Sequence, residues 1–303
     1  MDENIYKELK KILPEEQVLR QEPMRDHTTF RIGGPASVFV MPRTREEIRD
    51  VIACCRTNAV PYYIIGNGSN LLVSDAGYDG VVIQLFRNFN QITVQGTTVK
   101  AQAGALLSAV ASEAYKASLT GLEFASGIPG TLGGACVMNA GAYGGEMKDV
   151  LSEVEVLTQE GSFQTLEKSE LSMGYRTSAV AARGDIVLEA VMTLSKGDKE
   201  EIRARMDDLK ERRQNKQPLE YPSAGSTFKR PEGYYAGKLI QDAGLRGFQV
   251  GGAQVSEKHC GFVINRDHAT ASDVDELMRQ VQEQVEKQSG VKLEPEVKRL
   301  GEF

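Results

Sequence analysis

The sequence predicts an α+β protein of two domains, on three observations. A strand, a helix and a strand follow one another between Val38 and Ile65; strand-like runs dominate from Gly80 to Leu194 around a single helix; and the last third carries helices of its own behind a polar linker. At 303 residues the chain is long enough for two domains of roughly 100 to 200 residues each, and a boundary near residue 200 is expected.

Ile5, Leu9, Ile12 and Leu13 recur at helical spacing and predict a short N-terminal amphipathic helix. Val38 to Met41 reads as a strand. Thr44 to Asn58 reads as a helix that opens on a Thr44/Glu47 capping box, with Ile48, Val51, Ile52 and Cys55 on one face. Pro61 precedes a β-branched and aromatic strand, Tyr62 to Ile65. Further strands are expected at Val81 to Gln84, Ile92 to Gln95, Thr98 to Gln102, Val154 to Leu157 and Val187 to Leu194, with a helix from Leu106 to Ala117. In Val187 to Leu194, Leu188, Ala190, Met192 and Leu194 alternate with Glu189 and Thr193, the period of a half-buried strand. Asp198 and Glu201 open a charged helix that buries Ile202, Met206 and Leu209, and Gln214 to Pro222 reads as the linker. Beyond it, one helix closes at Gly244, and another runs from Ser272 to Ser289 with Val274, Leu277, Met278, Val281 and Val285 inward and Gly290 as its stop.

A hydrophobic content of 41% suits a globular core. A net charge of −6 with no Lys/Arg block argues against general affinity for nucleic acid, so an anionic ligand would need local cations. Met1-Asp2-Glu3-Asn4 lacks the basic-then-apolar order of a signal peptide, and a cytoplasmic location is expected. Cys54, Cys55, Cys136 and Cys260 show no metal-ligand spacing and read as reduced core thiols; no metal is expected.

From Ala125 to Gly145 no residue is charged and seven are glycine: Gly127, Gly130, Gly133, Gly134, Gly141, Gly144 and Gly145. Glycine allows positive φ and lets amide N–H groups approach a ligand with no side chain between, so this stretch reads as a ligand loop. It is too poor in apolar bulk, and too rich in glycine, for a membrane span. A second cluster, Gly66-Asn67-Gly68-Ser69-Asn70, sits at the carboxyl end of a predicted strand, where ligands of α/β proteins bind. It departs from the Rossmann fingerprint, since Leu71 replaces the third glycine and no long helix follows.

Reactive side chains concentrate in Gly174-Tyr175-Arg176, Ala224-Gly225-Ser226-Thr227-Phe228-Lys229 and Glu294-Pro295-Glu296-Val297. Taken singly, Arg176 reads as a salt-bridge residue, Ser226 as a turn hydroxyl and Glu296 as a solvated carboxylate. Taken with Gly66 to Leu71, Gly127-Ile128-Pro129-Gly130 and Asn139-Ala140-Gly141-Ala142-Tyr143-Gly144, in order along nearly the whole chain, they strongly resemble the UDP-N-acetylenolpyruvoylglucosamine reductase family.

The resemblance implies an FAD-binding domain of the vanillyl-alcohol-oxidase (PCMH) type over 1–200, built of two α+β subdomains at about 20–85 and 86–200, and a substrate-binding domain over 201–303. It implies non-covalent FAD, NADPH as hydride donor, and a nucleotide-sugar substrate whose enolpyruvyl double bond is reduced in peptidoglycan synthesis. No nucleic-acid, membrane or obligate protein partner is expected. By matching position, Arg176 and a protonated Glu296 would meet the charge that hydride addition leaves on the substrate carboxylate, and Ser226 would protonate the adjacent carbon. Gly66, Asn67, Gly68, Ser69, Asn70, Leu71, Gly127, Ile128, Pro129, Gly130, Gly133, Gly134, Asn139 and Gly141 would hold the flavin, and Tyr175 and Lys229 the substrate. Arg230 stands where many members carry Asn, and the short interval from Arg176 to Val187 marks the shorter subtype. His27, His259 and His268 receive no role.

Overall fold

The computed structural model describes residues 2–303, so Met1 of the stretch read for targeting lies outside the described residues. The N-terminal helix Asp2–Leu9 buries Ile5 and Leu9, and Leu13 is buried just beyond it. The helix Arg45–Thr57 starts where Thr44 Oγ1 accepts from Glu47 N at 3.1 Å. The capping box is only half realised, because the Glu47 carboxylate accepts from Arg43 N, one residue earlier than the cap itself. Ile48, Val51, Ile52 and Cys55 are buried as the spacing predicts.

The strands Pro35–Val40 and Tyr62–Ile65 flank that helix as predicted, yet they do not pair. Tyr78–Gln84 lies between them in a four-stranded sheet ordered Val18–Pro23, Pro35–Val40, Tyr78–Gln84, Tyr62–Ile65, with the last two parallel. A second sheet is antiparallel throughout: Phe163–Glu167, Leu151–Leu157, Ile186–Thr193, Thr98–Gln102, Ile92–Gln95. Its central strand, Ile186–Thr193, buries Leu188, Ala190 and Met192. A third antiparallel sheet is ordered Ser223–Ser226, Phe262–Asn265, Ala253–Val255, Gln249–Val250. Leu71–Val73 and Lys298–Leu300 form a separate parallel pair.

The chain folds into two compact units, each drawn from three stretches of sequence. One comprises Met1–Arg20, Val38–Asn67 and Gly80–Arg213; the other comprises Gln21–Ser37, Gly68–Asp79 and Gln214–Phe303. The division falls inside the helix Lys199–Lys216, later than residue 200, and that helix also takes up the start of the stretch read as a linker. In the first unit Leu9, Ile52, Ile83, Leu107, Leu132 and Leu188 belong to one continuous core. In the second, the inward face of the helix Ala271–Ser289, with Val274, Leu277, Met278, Val281 and Val285 all fully buried, packs into one cluster that includes Phe30, Ile32 and Leu72. Each such side chain contributes about 1.5–3 kcal/mol when fully buried. No helix among the described residues is long and apolar enough to cross a membrane.

Candidate functional site

The strand Tyr62–Ile65 ends at Gly66, and from Gly66 to Asn70 no backbone N–H has a hydrogen-bond partner among the described residues. Successive amides without a partner are donors available to an anion such as a diphosphate. Asn67 ties this loop to the second glycine stretch by donating from Nδ2 to Pro129 O at 2.8 Å. A Cβ on Gly66 would collide with Thr131 Oγ1, so glycine is what lets the two loops close on each other. Gly68 has φ +60 and lies against the His27 carbonyl, and its own oxygen accepts from Thr29 N at 3.3 Å. Asn70 donates to Glu296 O at 3.1 Å, while its buried Oδ1 has no partner among the described residues. Leu71 opens the strand Leu71–Val73.

The second stretch divides its labour. Thr131 is the N-cap residue of the short helix Leu132–Val137. The Leu132 and Gly133 amides are engaged by Ala105 O and Ala103 O, both at 2.8 Å, and a Cβ on Gly133 would stand 2.8 Å from Ala103 Cβ, so Gly133 serves packing. Ile128 donates to Ala125 O, and Gly130 O accepts from Leu107 N, whereas a Cβ on Gly134 would meet only Thr131 Oγ1, at 3.9 Å. A Cβ on Gly127 would come within 2.7 Å of Arg213 Nε. Sequence reasoning missed Arg213. Its half-buried guanidinium lies 5.9 Å from the Tyr143 ring centroid, and desolvation lowers its pKa, partly offset by the Tyr143 phenol. A guanidinium stays charged even so, which makes Arg213 a cation beside the glycine loop. Its place in the run Lys210 to Lys216 gave it the look of a solvated helix face.

Asn139 is buried at φ +44, and its side chain is fully engaged: Nδ2 donates to Glu146 Oε2 at 2.6 Å and to Gly174 O at 3.1 Å, and Oδ1 accepts from Lys148 N at 3.0 Å. It anchors the turn Gly174 to Thr177, in which Arg176 also has φ +55 and its guanidinium lies 5.2 Å from the exposed Tyr175 ring. Gly141 sits in a two-residue pairing with Glu146, where a Cβ would meet Gly145 O at 2.8 Å. Arg176 and Tyr175 belong to the first unit.

In the second unit Ser226 ends the strand Ser223–Ser226, and the next residues run against Glu294 to Val297. Phe228 bridges Pro295, Lys229 N donates to Glu294 O at 2.8 Å, and Glu296 N donates to Thr227 O at 2.8 Å. Ser226, Lys229 and Glu296 are thereby brought together, Ser226 exposed and Glu296 buried. Thr227 fixes the turn, since its hydroxyl accepts from Val263 N at 2.9 Å in the core. The Lys229 ammonium is paired with the Glu294 carboxylate. His259 accepts from Gly261 N at 3.1 Å and packs edge-on to Phe262, and burial lowers its pKa, so it is a neutral structural acceptor.

Residues 36–167 match the FAD binding domain family, and residues 217–300 match the family described as UDP-N-acetylenolpyruvoylglucosamine reductase, C-terminal domain. A UDP-N-acetylenolpyruvoylglucosamine reductase of Clostridium botulinum (strain Alaska E43 / Type E3) is 51% identical over 99% of this chain and 96% of its own. The chain belongs to the UDP-N-acetylenolpyruvoylglucosamine reductase family. A relative of that name from Agathobacter rectalis is 53% identical with both chains covered in full. The crystal structure of the reductase from Thermus caldophilus superposes with a TM-score of 0.81 at 40% identity, over 94% of this chain and 98% of that one. Phl p 4.0202, a glucose dehydrogenase, shares 17% identity over 65% of this chain and 45% of its own, with a TM-score of 0.50, a likeness of fold alone. Membership of the reductase family makes the chain an oxidoreductase with an FAD-binding domain of PCMH type and a C-terminal domain of its own kind.

Proposed function

We infer that this chain reduces UDP-N-acetylglucosamine enolpyruvate to UDP-N-acetylmuramate, with NADPH as the hydride donor, in peptidoglycan precursor synthesis in the cytoplasm. The observation that carries the reading is the run of Ser226 to Lys229 against Glu294 to Val297, which supports a shared role for a hydroxyl and a buried carboxyl in a chain of this family. FAD, when bound, supplies the hydride-carrying chemistry between donor and substrate.

The protein's own groups do the rest. Hydride addition to the enolpyruvyl double bond leaves negative charge that spreads onto the substrate carboxylate, and the Arg176 guanidinium meets it. Glu296, once protonated in the site, donates a hydrogen bond to the same oxygens. The Ser226 hydroxyl gives its proton to the carbon next to the carboxylate, an acid strong enough only against so basic a partner in a dry site. Lys229 exchanges Glu294 for the substrate diphosphate, Tyr175 lines the sugar side, and the Gly66 to Asn70 amides and Arg213 meet the flavin's phosphates. In this reading 1–200 is the flavin part and 201–303 the substrate part.

The test is an anaerobic spectrum of the flavin-loaded protein. NADPH should bleach it, and colour should return only when the enolpyruvyl sugar is added. Ser226→Ala should bleach at the normal rate but recover at least about 10²-fold more slowly, the scale of one lost transition-state donor at roughly 3 kcal/mol. Recovery in air without the sugar would point to an oxidase, and equal slowing of both half-reactions would remove Ser226 from the protonation step.

A further inference from the structure

A cavity of about 550 Å³ lies wholly within the second unit, apart from the loops that carry Ser226 and Glu296. Three arginines line it, Arg25, Arg31 and Arg266. Elsewhere Arg45, Arg49, Arg203 and Arg279 each face a carboxylate. These three do not: the side chains of Arg25 and Arg31 have no hydrogen-bond or ion-pair partner among the described residues, and Arg266 lies 4.6 Å from the Tyr221 ring and bonds its phenol oxygen. Asp75 also lines the cavity, but its carboxylate is already taken, accepting from Ala271 N at 2.7 Å and from Ser272 N and Oγ at 3.0 and 2.8 Å. Asp267 is then the one carboxylate left to balance three cations. Arg31 holds the left-handed backbone region with φ +55, a conformation that L residues with side chains adopt at a cost.

The cavity stands at the far end of the strands from the candidate catalytic residues. Ser226 is opposite Phe262 at one end of its strand pair, while Ser223 is opposite Ile264 at the other, and the cavity borders the adjoining Pro222 and Asn265. The parallel pair of Leu71–Val73 and Lys298–Leu300 likewise runs from Asn70 and Glu296 toward Asp75.

The geometry points to a second ligand site here, for a small phosphorylated molecule whose phosphate oxygens the three arginines share. Guanidinium forks match phosphate oxygens in pairs, and the volume is that of a small-ligand pocket. With the whole chain at −6, attraction for such an anion is local to this cluster.

The probe is inorganic pyrophosphate, titrated by calorimetry into the flavin-loaded protein at physiological ionic strength. Arg25→Gln/Arg31→Gln should weaken binding at least ten-fold while flavin content and turnover are kept, and Arg266→Gln alone should shift it in the same direction. Lys229→Ala reports the other phosphate-binding candidate and should leave this site intact. Unchanged affinity in the double arginine variant, binding lost only in Lys229→Ala, or no saturable heat from the parent protein would each overturn the proposal.

Discussion

Gly66 has no room for a side chain, because Thr131 Oγ1 and Cβ occupy the place. Gly66→Ala should therefore fold but purify with much less FAD than one per chain, and adding Thr131→Ala, which removes the colliding hydroxyl, should restore part of it; flavin absorbance against protein content measures both. At this scale the sequence was legible where a residue type has a backbone reason. The glycines at 66, 68 and 127 lie where a Cβ would strike a neighbour. Arg176, Ser226 and Glu296 are singled out only by family resemblance, since a serine or an arginine looks the same in a turn as in a site. Arg213 was hidden by its charged neighbours, and the Asn139 side chain faces protein partners that no local pattern announces.

Helices were more legible than strands. Thr44 caps its helix with half of the box that was read, and Gly290 stops Ala271–Ser289 as read, with φ +72. Leu71–Val73 is a strand because Lys298–Leu300, more than two hundred residues later, lies beside it, and the C-terminal sheet is made of runs too short to show a period. The start of Ala271–Ser289 is also set from afar: beyond its Thr270/Asp273 capping box, the Asp75 carboxylate takes the amides of Ala271 and Ser272. Asp75→Ala should lower unfolding stability by about 1 kcal/mol, and Asp75→Asn by less because an acceptor remains, as read from denaturant midpoints.

Across the whole molecule the α+β class was legible, but the interleaving of the two units was not, because periodicity carries no information on which distant stretch completes a core. Stability toward alkali is a property of both the core and its titrating groups. Burial pushes the Cys55 and Cys136 thiols from the ordinary 9.0 up to about 12. The folded state thus keeps protons that the unfolded chain releases from about pH 9 upward, so this contribution is full below about pH 9 and is lost as pH rises toward about 12. Denaturant midpoints should hold from about pH 7 to 8.5 and fall above that, and Cys55→Ala/Cys136→Ala should flatten the fall.

Phe30, Ile32 and Leu72 share a core with side chains that begin at Ala224. On the ribosome these early residues emerge on the order of ten seconds before the polypeptide that will cover them, at common elongation rates. The second unit is therefore assembled late in translation from parts made early, and a gene fragment encoding only the C-terminal third would yield a nascent chain lacking three of its own interior side chains.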